Sequence, residues 1–228
     1  MHSELAAALD DVMRSRKAVR AFRPDPVPRH LLVEILELAR TAPSNFNSQP
    51  WRVHVLAGKA KRELGEALLY AHETKTVPVF SPFPQPMPED CGARVDDFGR
   101  RLYSALGIER SDMAGRARQT GRNFLFFEAP VGMIFTIHSG LTKHSWLDCG
   151  LFLQNVILAA RVRGLATCPQ VSFVRFQSMI AERLKLAPEE LVTCGLSLCY
   201  EDESAPVNRL GMQREPLEAF TRWLGFED

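Results

Sequence analysis

Nothing in the chain reads as a dinucleotide fingerprint: G-x-G-x-x-G is missing, and so is the phosphate-cradling G-x-x-x-x-G-K-[ST], Gly58-Lys59 standing alone. No G-x-S-x-G elbow is present, which removes the commonest serine hydrolase arrangement. An excess of one charge sign is also lacking. With 28 basic and 27 acidic residues the formal net charge is +1, which argues against a nucleic-acid binder held by bulk electrostatics. No apolar run approaches the ~18 residues that span a bilayer. The longest, Phe124 to Ile137, is interrupted by Glu128. Met1 to Val12 carries Glu4, Asp10 and Asp11 and no apolar core of a secretion signal. The 5 cysteines are scattered without a C-x-x-C pair, as expected of reduced, mostly buried thiols in a cytoplasmic protein. His138, His144 and Asp148 match no metal-ligand spacing, so no metal is expected.

What is present is a chain of 228 residues, 46% hydrophobic, enough for one large domain with a proper core. Helical periodicity runs through Glu4–Arg14, Arg29–Thr41, Lys59–His72, roughly Arg94–Leu106, Ser111–Phe127, Trp146–Arg163 and Val174–Leu186, with a short amphipathic end over Leu217–Trp223. Strand patterns occupy Trp51–Ala57, Val131–Ile137 and Leu191–Tyr200. Few strands among many helices, without regular β-α alternation, indicate an α+β fold. The apolar residues of the Trp146–Arg163 helix cover more than one face. It is therefore expected to be deeply buried or to lie in a subunit interface. The region 74–90 is proline-rich, with Pro78, Pro82, Pro84, Pro86 and Pro88, and reads as a long surface excursion that could form a wall or lid.

The most informative segment is Ala42–Trp51, Ala-Pro-Ser-Asn-Phe-Asn-Ser-Gln-Pro-Trp. Prolines bracket short hydroxyls and amides, so a loop offering neutral donors and acceptors is expected, suited to a flat heterocycle. Upstream, Arg16, Lys17 and Arg20 form a basic cluster that suits a phosphate.

Taken together, Ser-Arg-Lys-Ala-Val-Arg-Ala-Phe, Pro-Asp-Pro-Val-Pro and the Ala42–Trp51 loop resemble the flavin-dependent nitroreductase family. The likeness continues through Leu102–Ile108, Phe127–Gly132, Trp146–Gly150, Gly164–Gln170, Asn208-Arg209 and Arg214–Leu217, and is nearest to the nitrobenzoate-reductase-like branch. The resemblance implies an intertwined homodimer built on a central mixed or antiparallel sheet flanked by helices. It implies tightly bound FMN and transient NAD(P)H. Hydride would pass through flavin N5 to a nitroaromatic, quinone or related acceptor in a ping-pong cycle, with no catalytic side chain. By the same resemblance, Arg16, Lys17, Ala18 and Arg20 meet the phosphate and ribityl chain. Pro43, Ser44, Asn45, Asn47 and Gln49 reach a flavin of the other subunit, and Pro169, Gln170 and Val171 form a turn packing beside the ring. Arg214, with Arg209 as second candidate, closes on the phosphate, while Arg94, with Arg100 and Arg101 as rivals, stabilises N1 and O2. Ala18 stands where many members have Ser, and Val171 where Gly is frequent. Two alternatives keep the same fold: a flavoenzyme of different chemistry (dehalogenation, alkene reduction or flavin fragmentation), and a flavin binder without turnover.

Overall fold

The computed structural model describes residues 2–76, 84 and 86–226. Its elements in chain order are α1 (His2–Ser15), α2 (Arg29–Ala39), β1 (Trp51–Ala57), α3 (Gly58–Thr74), α4 (Glu89–Ala105), α5 (Met113–Gly121), β2 (Val131–His138), α6 (Lys143–Val162), β3 (Ala166–Gln170), α7 (Gln177–Leu184) and β4 (Glu190–Cys199). The strands form a sheet in the order β1-β2-β4-β3, each pair antiparallel, and the bridge Ala18–Thr167 adds one parallel contact at its edge. An all-antiparallel sheet among these strands, with helices packed on both faces, agrees with the α+β reading.

Pattern explains most of this. β1 alternates, so Trp51 and Val53 face one layer while Leu56 faces the other. Along β2, Val131, Met133 and Phe135 join the first layer and Ile134 the second. In β4 the parity changes across a bulge, where Phe135 pairs with Cys194 but Thr136 with Val192. The extra residue, Thr193, donates its hydroxyl to Phe135 O at 3.1 Å. Val192 therefore faces the second layer, and Leu196 and Leu198 the first.

The first layer is packed by α2 and α6, through Leu32, Ile35 and Ala39 against Phe152, Val156 and Ala160. Trp51 stacks on Phe152 with ring centroids 4.7 Å apart. The second is aromatic, with Phe124, Phe126, Phe173 and Phe176 in mutual contact beside Leu64 and Leu68 of α3. Each such fully buried side chain contributes roughly 1.5–3 kcal/mol.

Four expectations need correction. The Cys-Pro-Gln segment is not a turn but the end of β3, with Pro169 opposite Leu196. β3 is the edge strand of the sheet order, where a residue without an N–H is tolerated. The helix expected from Val174 begins at Gln177, because Val171–Phe176 winds as a tighter 3-10 segment that buries Phe173 and Phe176. The helix expected over Ser111–Phe127 stops at Gly121, and the short amphipathic end over Leu217–Trp223 holds a single 3-10 turn, Leu217–Ala219, with nothing buried. Its apolar residues have no surface to fold against in one chain. Of the 74–90 excursion, residues 77–83 and 85 lie outside the described residues.

Candidate functional site

The basic segment after α1 is extended and laid along β3: Val19 N donates to Thr167 O at 3.0 Å, next to the Ala18–Thr167 bridge. Asn208, 2% exposed, clamps it from the far end of the chain. Its side-chain oxygen accepts from Arg20 N at 2.8 Å and Ala21 N at 3.2 Å, while its amide donates to Ala21 O at 2.8 Å. Arg20 is thereby fixed at the mouth of a 410 Å³ cavity, its guanidinium 5.0 Å from the Phe98 ring centre.

Pro169, Gln170 and Val171 line the same cavity, as do Phe127, Asn123 and Arg175. The side chain of Gln170 is held on two sides, donating to Asn123 O at 2.7 Å and accepting from Ser197 Oγ at 2.5 Å. Behind it the sheet is shaped by missing side chains. A Cβ on Gly195 would meet Phe173 at 2.3 Å, and one on Gly132 would meet Phe126 at 2.6 Å. These glycines let the rings rest on the strands and set the height of the 171–176 segment. Three successive residues, Phe126, Phe127 and Glu128, have φ of 57°, 50° and 61°, a strained left-handed run at the cavity's flank.

Among the described residues the cavity lining holds no carboxylate, and neither Arg20 nor Arg175 has an ion-pair partner. The buried Nε of Arg175 makes no hydrogen bond among the described residues. Aromatic and apolar walls, neutral amides and unneutralised guanidinium groups together fit a flat, electron-rich ring better than a cation or a metal. A larger, more open 960 Å³ cavity adjoins it, sharing Phe98, Leu102 and Tyr103, with Arg116 stacked over Tyr103 at 4.3 Å.

The other expected site residues fall elsewhere. Arg16 and Lys17 border a small recess with Arg161 and Thr167, where Lys17 pairs with Glu201 at 2.7 Å. Arg94 lines neither large cavity; it is bound to Asp90 at 2.7 Å and Glu215 at 3.1 Å, which ties α4 to the C-terminal segment. Arg100 and Arg101 both pair with Asp97. Arg209 donates to Glu203 O at 3.2 Å, and the exposed Arg214 to the carbonyls of its neighbours Met212 and Gln213.

The Pro43–Gln49 loop lies apart from the cavity. Ser44 Oγ accepts from Gln49 N at 3.0 Å, and the Gln49 amide turns back to Asn47. Phe46, Asn47 and Gln49 have φ of 51°, 56° and 45°, and Phe46 is 97% exposed.

Thiol chemistry has no place in the cavity. Burial pushes Cys168 up to about 11 and Cys194 up to about 12, so neither is a thiolate at neutral pH. A separate polar cluster surrounds Glu190, which accepts from Thr136 Oγ1 at 2.6 Å and contacts His54 at 3.0 Å and Arg52 at 3.2 Å.

Asn208, Asn123 and Arg175 were not among the residues singled out from sequence. Asn208 carried a signal, as part of the Asn208-Arg209 pair. Asn123 and Arg175 sit in stretches that read simply as helix, and only the fold turns them toward the cavity.

An antiparallel sheet with helices on both sides, and a cationic, amide-rich cavity at its edge strand, define a class of fold that the comparisons identify. The Nitroreductase family model matches residues 13–200, and the chain belongs to that family. It is 50% identical over 218 residues to a 4-nitrobenzoate reductase of Pseudomonas putida, covering 96% of each chain. It is 39% identical over 219 residues to a chloronitrobenzene nitroreductase of Comamonas testosteroni, covering 95% of this chain and 96% of that one. Among solved structures, the FMN-dependent nitroreductase NfnB of Mycobacterium smegmatis, in complex with NADPH, superposes with a TM-score of 0.92 at 34% identity, covering 96% of this chain and 99% of that one. Among the described residues no helix is long and apolar enough to cross a membrane.

Proposed function

We propose that the protein is an FMN-dependent NAD(P)H oxidoreductase that reduces nitroaromatic, quinone or related acceptors, working as a cytoplasmic homodimer. The observation that carries the reading is Arg20, clamped by Asn208 beside Pro169–Val171 in a cavity with no carboxylate among its described lining residues. When bound, FMN supplies the two-electron carrier chemistry between NAD(P)H and the acceptor.

The chain's own residues would do the rest. Arg20 is a fixed cation where an electron-rich ring would lie, and partial exclusion of water by Phe127 and Leu102 strengthens its field. Pro169, Gln170 and Val171 offer a packing edge, and the two-sided hold on Gln170 keeps that edge rigid. Arg16 and Lys17, together with Ala18, Arg209 and Arg214, are candidates for the phosphate end. Arg94 acts at a distance, as a tether between α4 and the tail. No side chain need act as nucleophile, in keeping with thiols held protonated by burial.

A homodimer is supported by what one chain leaves uncovered. On α6, Trp146, Leu147 and Leu151 are 42%, 67% and 40% exposed. Asp148 beside them is buried, with Oδ2 unpaired among the described residues. Phe46, on the strained amide loop, is exposed as well, so that loop has both the chemistry and the freedom to serve a neighbour's cavity.

The test is the absorption spectrum of the purified protein, followed by anaerobic addition of NADH or NADPH and then of an acceptor. Bleaching by the nucleotide and recovery with a nitroarene or quinone are expected. Arg20→Gln should weaken FMN retention or slow bleaching at least tenfold. A colourless protein that refuses micromolar FMN, or bound flavin that no nicotinamide bleaches, would end the reading. A monomeric mass in solution with flavin retained would end the dimer.

A further inference from the structure

Arg20 is held in place without being neutralised. Its backbone N donates to the Asn208 side chain at 2.8 Å. Its guanidinium makes two contacts, a donation from Nη1 to Ala18 O at 3.3 Å and an approach of Cζ to 5.0 Å from the Phe98 ring centre. Both partners are uncharged, and the described lining of the cavity holds no carboxylate. The arginines of α4 fare differently, Arg94 being paired with Asp90 and Glu215, and Arg100 and Arg101 with Asp97. Asp97 directly precedes Phe98, so α4 gives its acid to its own arginines and its ring to Arg20.

That a ring and not an acid meets Arg20 has a physical consequence. A carboxylate would grip the guanidinium more firmly, but it would cancel the field that favours an electron-rich ligand. An aromatic face attracts the cation through its quadrupole and carries no net charge, so the side chain is fixed while its field survives. An alkyl side chain would leave the field but not the position, and a long arginine at a cavity mouth would then spread over rotamers reaching into water. Phe98 is half-buried, and α4 runs beside the Pro206–Arg209 segment that carries Asn208. Backbone and side chain of Arg20 are thus gripped from neighbouring elements.

We infer that Phe98 is a positioning residue: its ring keeps the Arg20 guanidinium turned to the cavity and thereby stabilises the reduced cofactor relative to the oxidised one. The inference rests on the reductase reading above and adds to it a residue that acts through Arg20.

The experiment measures the Kd of oxidised FMN and, anaerobically, of dithionite-reduced FMN for the wild type, Phe98→Leu, Phe98→Trp, Arg20→Gln and the double variant. The ratio of the oxidised to the reduced constant reads the redox equilibrium of the bound cofactor and needs no turnover. Phe98→Leu should lower that ratio roughly three- to tenfold, the scale of one half-buried cation–π contact. At about 30 mV per tenfold for two electrons, the midpoint potential falls by about 15–30 mV. Phe98→Trp, with the strongest π face, should keep the ratio at the wild-type value or above it. Once Arg20 is Gln, Phe98→Leu should leave the ratio unmoved. A ratio unchanged by Phe98→Leu, an equal fall in the Arg20→Gln background, or a Phe98→Trp ratio as low as that of Phe98→Leu overturns the inference. Should Phe98→Leu fail to fold, Phe98→Met, equally without a ring, takes its place under the same criteria. Failure of the reductase reading is separate: wild-type protein would bind neither form of FMN, or would hold flavin that NADH and NADPH leave unbleached.

Discussion

The two faces of the sheet are packed by opposite means. On one, α2 and α6 press aliphatic side chains onto Val131, Met133, Leu196 and Leu198, with Trp51 and Phe152 stacked between them. On the other, the strands give up side chains at Gly132 and Gly195 so that phenylalanine rings lie against the backbone. The aliphatic face is a conventional core whose outer helix shows Trp146, Leu147 and Leu151 to solvent. The aromatic face is a mould: Phe126 and Phe173 carry with them the strained 126–128 run and the 171–176 segment, and these shape the cavity. One face therefore offers a surface and the other a site, and damage to them should be separable.

The largest effect is expected from Phe152→Ala on the aliphatic face, about 3–5 kcal/mol of stability. A drop of roughly 2–4 °C in Tm per kcal/mol would follow for a chain of this size. Protein that stays folded should keep its FMN content; selective loss of flavin would abolish the division. Gly195→Ala on the aromatic face should be milder in stability, about 1–3 kcal/mol, since only one methyl is inserted. It should nonetheless weaken FMN binding, because the ring at 2.3 Å must shift and the cavity edge with it. Adding Phe173→Leu should recover part of both, read by a double-mutant cycle.

Acid sharpens the comparison at the end of the sheet. Burial pushes the Glu190 carboxyl up, but hydrogen bonds from Thr136 and His54 outweigh it and bring it down to about 2. A folded pKa below the unfolded one of 4.5 means the contribution is complete above pH 4.5 and is lost as pH falls toward 2. Glu190→Gln should therefore flatten the fall in urea-unfolding stability between pH 5 and pH 3; an unchanged slope would show that other carboxylates dominate. The smallest change is a gain. Lys185 ends α7 with φ 54°, so Lys185→Gly should add about 0.5–1 kcal/mol without touching the cavity.

Periodicity made the elements with long, regular patterns legible, and β1 appeared with the bounds Trp51–Ala57 that the alternation implied. It failed where tertiary contacts override local preference. β3 is brief, ends in Pro169-Gln170 and pairs along one side for most of its length, so nothing local distinguishes it from a turn. The 3-10 segment before α7 carries helical spacing, yet burial of Phe173 against Gly195 tightens it. Of the site, Arg20 and Pro169–Val171 could be named in advance because they lie in recognisable motifs. Their joining depends on Asn208, from a segment nearly the whole chain away.

Residue chemistry alone determined that this chain would carry a basic cluster, an amide-rich loop and helices about a few strands, because those depend on neighbours in sequence. Tertiary structure decided which cation faces the cavity. Asn208 clamps the backbone at Arg20, while Asp90 and Glu215 neutralise Arg94. It also left Arg175 Nε without an acceptor among the described residues. Electrostatic fate is set by which groups meet through space and how much water remains between them, and no local pattern encodes that.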